Sequence, residues 1–139
     1  MDTLEIVIAE IDLPLGPAPR AELLVNGIAL TQLVEELELG RSGYAPLPAG
    51  TLLRTLRAVH VGGSEPVRVA ALGCCCGDDR CSWVDVEVRN GPERVRWERL
   101  MSSATDVLAL GPFAFDRAQY EEALRRPRVA AGPVRPYES

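Results

Sequence analysis

Apolar and polar positions alternate in two stretches of the chain and recur at helical spacing in three others. Leu4, Ile6 and Ile8 point one way, and Val7, Ala9 and Ile11 the other, so Leu4 to Leu13 reads as a strand apolar on both sides. Pro14, Gly16, Pro17 and Pro19 are expected to end it. Ala21 to Val25 reads as a second, short strand, stopped by the turn signal Asn26-Gly27. The spacing then predicts a helix over 31–39 with Thr31 as its cap. Leu33, Val34 and Leu37 are its apolar stripe, and Glu35, Glu36 and Glu38 its solvated face. Residues 41–50 read as a Gly/Pro loop. Thr51 opens a further helical turn or two on Leu52, Leu53, Leu56 and Val59, and 62–66 form a loop.

The clearest pattern follows. Val67 to Cys76, Cys81 to Arg89 and Arg94 to Met101 read as three consecutive antiparallel strands. Pairing Glu87 with Arg96 around Asn90-Gly91-Pro92-Glu93 sets Val86 opposite Trp97 and Val88 opposite Val95. One face is then apolar and the other charged, though Asp85 falls opposite Glu98. The last helix is the best specified. Asp116 is its N-cap, Gln119 completes a capping box, and Phe115 and Tyr120 occupy the two staple positions. Arg125 and Arg126 suit the dipole at its end, and Pro127 stops it.

These elements predict an α+β fold: a mainly antiparallel sheet with a three-strand meander and two or three packed helices. The N-terminal strands join or flank the meander. Residues 1–128 are expected to form one domain and 129–139 a mobile tail, since 139 residues suit a single core.

Composition narrows the function. A net charge of −5 argues against nucleic acid or an anionic membrane as a partner. The chain has no lysine, which excludes Schiff-base chemistry and a phosphate-loop lysine. No apolar run approaches the roughly 20 residues of a membrane span. The acidic start, Met1-Asp2-Thr3-Leu4-Glu5, does not read as a signal peptide. A cytoplasmic protein is expected, where stable disulfides are disfavoured.

All four cysteines lie in Cys74-Cys75-Cys76-Gly77-Asp78-Asp79-Arg80-Cys81. A hairpin turning at Asp78-Asp79 sets Cys76 opposite Cys81, Cys75 opposite Ser82 and Cys74 opposite Trp83. Alternation then gathers Cys74, Cys76, Cys81 and Trp83 on one face, and leaves Cys75 on the face of Val69, Val84, Val86 and Val88. Three gathered thiolates suit zinc, with His60 as the fourth ligand, Asp78 or Asp79 as a substitute, or a site shared across a dimer. Three other readings stand beside it: a Cys76–Cys81 disulfide, thiol-redox chemistry, and free cysteines in a turn. Redox chemistry is the least suited, because the thiols follow a strand and Asp78 and Asp79 oppose thiolate formation.

Cys74-x-Cys76-Gly77-x-x-x-Cys81, the valine-rich strand after it, Val95-x-Trp97 and Phe113-x-Phe115-Asp116-x-x-x-Tyr120 together resemble a group of small uncharacterised bacterial proteins. The resemblance spans about 67 to 124, and Cys75 and the Asp78-Asp79-Arg80 turn depart from it. It implies a shared fold and carries no activity across.

The remaining candidates are plainer. His60 has no visible nucleophile or orienting carboxylate and reads as a partly exposed loop histidine. Gly62-Gly63-Ser64 lacks the context of a phosphate loop, and Ser102-Ser103 has no histidine near it. Asp85 and Glu87 read as charge partners of Arg94 and Arg96. Trp83 falls on the charged face, where its own chain or a partner must cover it, and is the candidate interface residue. The expectation is a non-enzymatic bacterial protein acting through protein contacts or as a homodimer. The alternative is a zinc-binding or thiol-redox protein using the cysteine hairpin.

Overall fold

The computed structural model describes residues 1–13, 16–37, 44–74, 83–103 and 107–130. Among them the chain runs β1 (Leu4–Leu13), β2 (Gly16–Val25), β3 (Ile28–Ala29), α1 (Leu30–Leu37), β4 (Tyr44–Pro48) and α2 (Ala49–His60). It continues with β5 (Val67–Cys74), β6 (Val84–Asn90), β7 (Arg94–Ser102), β8 (Phe113–Asp116), α3 (Arg117–Arg125) and β9 (Arg128–Val129). The fold is α+β, and the described strands form one sheet in the order β8-β7-β6-β5-β4-β2-β1-β9, with β3 attached to β2. Neighbours are antiparallel except β1 and β9. The expected meander is present as β5-β6-β7, within a larger sheet of nine described strands that the N-terminal strands join.

Two extensions of the sheet were hidden by proline. β2 begins at Gly16, not Ala21, and pairs with β1 along its whole length. The Asn26 amide donates to Thr3 O, so even-numbered β2 residues turn their N–H groups toward β1. Pro17 and Pro19 therefore set their missing donors on the opposite edge, where the ladder with β1 needs none. β4 lies in the stretch that reads as a loop. It pairs with β5 through Tyr44–Pro46 and with β2 through Leu47 and Pro48, and so joins the first hairpin to the meander.

Both meander registers differ from expectation. Around the β6–β7 turn, Asn90 pairs with Val95 and Val88 with Trp97, two residues from the expected pairing, and a bulge follows at Glu87/Val88. The even slip keeps the faces of residues 88–90 and 95–97; past the bulge the phase of β7 reverses, and Leu100 and Ser102 are buried. The slip removes the Asp85–Glu98 opposition but sets Arg89 opposite Arg96. The cause is Asn90, which is buried and donates from its amide to Val59 O at 2.6 Å, so it belongs to the strand and not to the turn. Between β5 and β6, Val69 meets Val86, where a Cys74–Trp83 pairing would have set it opposite Val88. A bulge between Ala70 and Leu72 then breaks the alternation, and Ala71 and Leu72 are both buried.

The helices start earlier than expected. α1 opens at Leu30, and Thr31 lies inside it, buried, rather than capping it. Leu30 and Val34 are its core residues, whereas Leu37 is exposed. α2 runs 12 residues from Ala49 to His60, longer than a turn or two, and buries Leu52, Leu53 and Leu56. α3 follows its sequence closely. Asp116 accepts from the Gln119 amide at 3.1 Å, and the rings of Phe115 and Tyr120 pack with centroids 5.5 Å apart. The Gln119 side chain, however, leaves the capping box for β1. After Pro127 the sheet resumes as β9, one residue past the expected domain end at 128, and the Ala130 amide donates to Ile8 O.

The sheet curls until its ends meet. Asp2 bridges Phe115, the Asp2 amide donates to Ala114 O, and the Ala114 amide donates to the Asp2 carboxylate. The enclosed core takes residues from both halves of the sheet and all three helices, including Ile6, Leu23, Val34, Leu56, Val86 and Trp97. Trp97 is fully buried, edge-on to Phe115, and its indole N–H donates to the Tyr120 hydroxyl at 3.2 Å. Burial pushes the Tyr120 phenol up to about 12.

Candidate functional site

Three polar clusters stand out from this frame. The first joins α2 to α3. His60, expected in a loop and partly exposed, is instead the buried last residue of α2. Its Nε2 lies 2.9 Å from Glu121 Oε1, and its ring packs against Tyr120. Arg117 reaches the same carboxylate oxygen at 3.1 Å. The His60 hydrogen bond, helped by Arg117, holds the Glu121 carboxyl below its usual range against desolvation. Arg57 donates twice to Leu124 O, tying α2 to the last turn of α3.

A histidine held by a carboxylate is half of a general-base arrangement. Here the other ring nitrogen, Nδ1, is buried and has no hydrogen-bond partner. A base must present that nitrogen to a proton it can abstract, so the pair works as a pin between helices.

The second cluster is the outer face of the meander. Trp83, whose backbone exchanges bonds with Ser103, is half-buried there. The Arg68 guanidinium lies over its ring, 5.4 Å from the centroid, and is held by Asp85 at 2.8 Å. Arg89 pairs with Glu98 at 2.6 Å, and Glu87 stands 3.9 Å from Arg99. The expected partners Arg94 and Arg96 are exposed and make no ion pair among the described residues. With Arg89 and the 91–93 turn they line a hollow of about 390 Å³ at the turn end of the hairpin.

The third cluster lies where α1 meets β2. Thr31 Oγ1 donates to Glu22 Oε1 at 2.9 Å. Glu22 Oε2, Glu35 Oε1 and Arg20 Nε are buried there without partners. Burial, with a smaller push from Glu35, raises the Glu22 carboxyl to about 7 against the Thr31 bond and the weaker pull of the Leu23 amide. Burial also raises Glu35. The sequence reads Glu35 as part of a solvated face, and the structure corrects this. The available signals were the i, i+4 spacing of Thr31 and Glu35, and the phase of Glu22 between Ala21 and Leu23.

The cysteine site falls at the edge of what is described. Cys74 ends β5, paired with Tyr44. Cys75, Cys76 and Cys81, with the zinc, disulfide and redox readings that rest on them, lie outside the described residues. Regular alternation was the premise that sorted the thiols, and the Ala70/Leu72 bulge breaks it before the cysteines are reached. His60 is engaged with Glu121, beside Asn90. From there to the end of the β5–β6 ladder that leads to Cys74 is roughly 20 Å of strand. Among the described residues no three His, Cys, Asp or Glu side chains gather as metal ligands. No helix is long and apolar enough to cross a membrane.

Comparison with known protein families, curated proteins and solved structures returned no match.

Proposed function

We propose that the protein acts through protein contacts, and that the outer face of the meander docks an acidic surface of a partner. The observation that carries this is Trp83 with its arginine neighbours. A large aromatic stands half-exposed on a charged sheet face, with Arg68 stacked on it. At the other end of the face, Arg94 and Arg96 form no ion pair among the described residues, and Arg89 directly opposes Arg96. Like charges set opposite each other cost stability, and a bound carboxylate would relieve that cost. Arg68, Arg89, Arg94, Arg96 and Arg99 against Asp85, Glu87, Glu98 and Asp116, which stands opposite Arg94, leave this face a small positive excess on a chain of net charge −5. The interleaved acids disfavour a continuous phosphate backbone and suit a partner with charges of both signs and acidic excess.

Binding of a deca-glutamate peptide at low salt tests this, read by tryptophan fluorescence. Trp97 is fully buried, so the response reports Trp83. Binding is expected to be saturable and to weaken about tenfold or more when Arg94 and Arg96 are both changed to Ser. Absence of binding, or equal binding by the double variant, contradicts the proposal. Preference for an oligothymidylate reassigns the face to nucleic acid. A dimer in light scattering that Trp83→Ser abolishes reassigns it to self-association.

A further inference from the structure

We propose that the junction of β2 and α1 is a proton-operated latch: Glu22 keeps a proton there, beside Glu35, and its release to water loosens α1 from the sheet. This rests on the third cluster and is independent of the outer face.

The junction is a gap in the sheet. On its edge away from β1, β2 pairs with β3 at Leu24 and Val25 and with β4 at Arg20 and Ala21. Glu22 lies between, and α1 packs against β2, β3 and β4 across the break. Thr31 and Glu35 share one face of α1 at i, i+4 spacing. Thr31 satisfies one oxygen of Glu22; the other, like Oε1 of Glu35, is buried without a donor.

An ionised carboxylate only accepts hydrogen bonds, whereas a protonated one also donates. One proton on Glu22 Oε2 turns an orphan acceptor into a donor, with a second orphan acceptor on the adjoining helix. It also removes a charge from a desolvated place beside a second carboxylate.

Among the described residues, no cation pairs with either carboxylate to replace that proton. From β1, Val7 stands opposite Glu22, and Glu5, the next charged group on that face, is bound to Arg128 at 2.7 Å. Ile28 and Ala29 of β3, and Leu47 and Pro48 of β4, bring no titratable group. On β2 itself, Arg20 donates from Nη1 to Pro46 O and forms no ion pair with either carboxylate among the described residues. Once both acids are charged, the relief open to Glu22 is water, and bringing water to its buried oxygen requires α1 to move. α1 has eight residues, too few to persist as an isolated helix, so loosening means local unfolding.

Hydrogen exchange of the α1 amides tests this, corrected for the intrinsic pH dependence of exchange, at pH 5 and pH 8. In the wild-type chain the opening equilibrium of α1 should rise by about tenfold or more between the two, while β6 amides stay level. In Glu22→Gln the rise should vanish. Equal opening of wild-type α1 at both values overturns the proposal, as does a rise that survives in Glu22→Gln. If that variant does not fold, Glu35→Gln decides. It removes one charge of the pair and should shift the rise to lower pH; an unshifted rise overturns the proposal.

Discussion

The hairpin of β1 and β2 has two outer edges, and in each a helix covers a place where strand pairing lapses. Along β1, Asp2 bonds to Ala114, Ile8 to Ala130, and between them Leu4 faces α3. The Gln119 amide fills that place, accepting from Leu4 N at 3.0 Å and donating to Leu4 O at 2.6 Å. Along β2 the lapse lies between Ala21 and Leu24, and there the Glu22 side chain meets Thr31 of α1, with Glu35 beside it. An amide carries a donor and an acceptor at no charge, so it matches a strand backbone at any pH. A carboxylate gains a donor only with a proton. One edge is closed unconditionally; the other is closed while a proton is present.

The largest effect should come from moving the carboxylate to the other edge. Gln119→Glu removes the donor to Leu4 O and sets a charge against that carbonyl. At pH 7 it should cost about 3 kcal/mol in thermal or urea unfolding, and much less near pH 4, where the acid can donate. A loss equal at both values would break the comparison.

Gln119→Ala should cost about 2 kcal/mol and leave the shape of the stability–pH curve unchanged, because nothing that titrates is removed. A new pH dependence would show that the β1 edge is also conditional.

Thr31→Val should cost about 1 kcal/mol and move the Glu22 midpoint upward, since the lost hydrogen bond favours the ionised form. A downward move would mean that Thr31 supports the protonated acid.

The smallest effect belongs to Glu121, whose carboxyl is held low by His60 and Arg117. Its contribution is present above the ordinary carboxylate range and is lost as pH falls through its lowered value. Glu121→Gln should therefore lose stability at neutral pH and converge with the wild type in acid. This dependence has the opposite sign to that of Glu22. For Glu22 stability is full below the unfolded value of about 4.5, declines as pH rises, and has levelled off above the folded value of about 7.

The two edges also differ in how far the sequence reveals them. The Asp116 cap and the Phe115–Tyr120 staple are local, and α3 forms where they place it. The same holds for the valine alternation of the meander. The second bond of Gln119, to a strand 115 residues away, has no local mark. On α1, Glu35 and Glu36 look alike in sequence; only the position of Glu22 makes one buried and the other exposed. Registers moved for the same reason. Asn90 is a turn former by type, but α2 presents the Val59 carbonyl to it and draws it into the strand. β4 was concealed by Pro46 and Pro48, which sit where pairing on both sides is incomplete. Trp83 was legible from alternation alone, because its place on the charged face depends on its spacing from Val84, Val86 and Val88.

The most direct measurement is a carbon-13 NMR titration of the Glu22 carboxyl in the intact chain. A midpoint near 7, displaced downward in Glu35→Gln, is the result expected of a proton held on Glu22 beside a second acid. A midpoint in the ordinary range near 4.5, unmoved by that substitution, would show that Glu22 reaches water and that the β2 edge carries no latch.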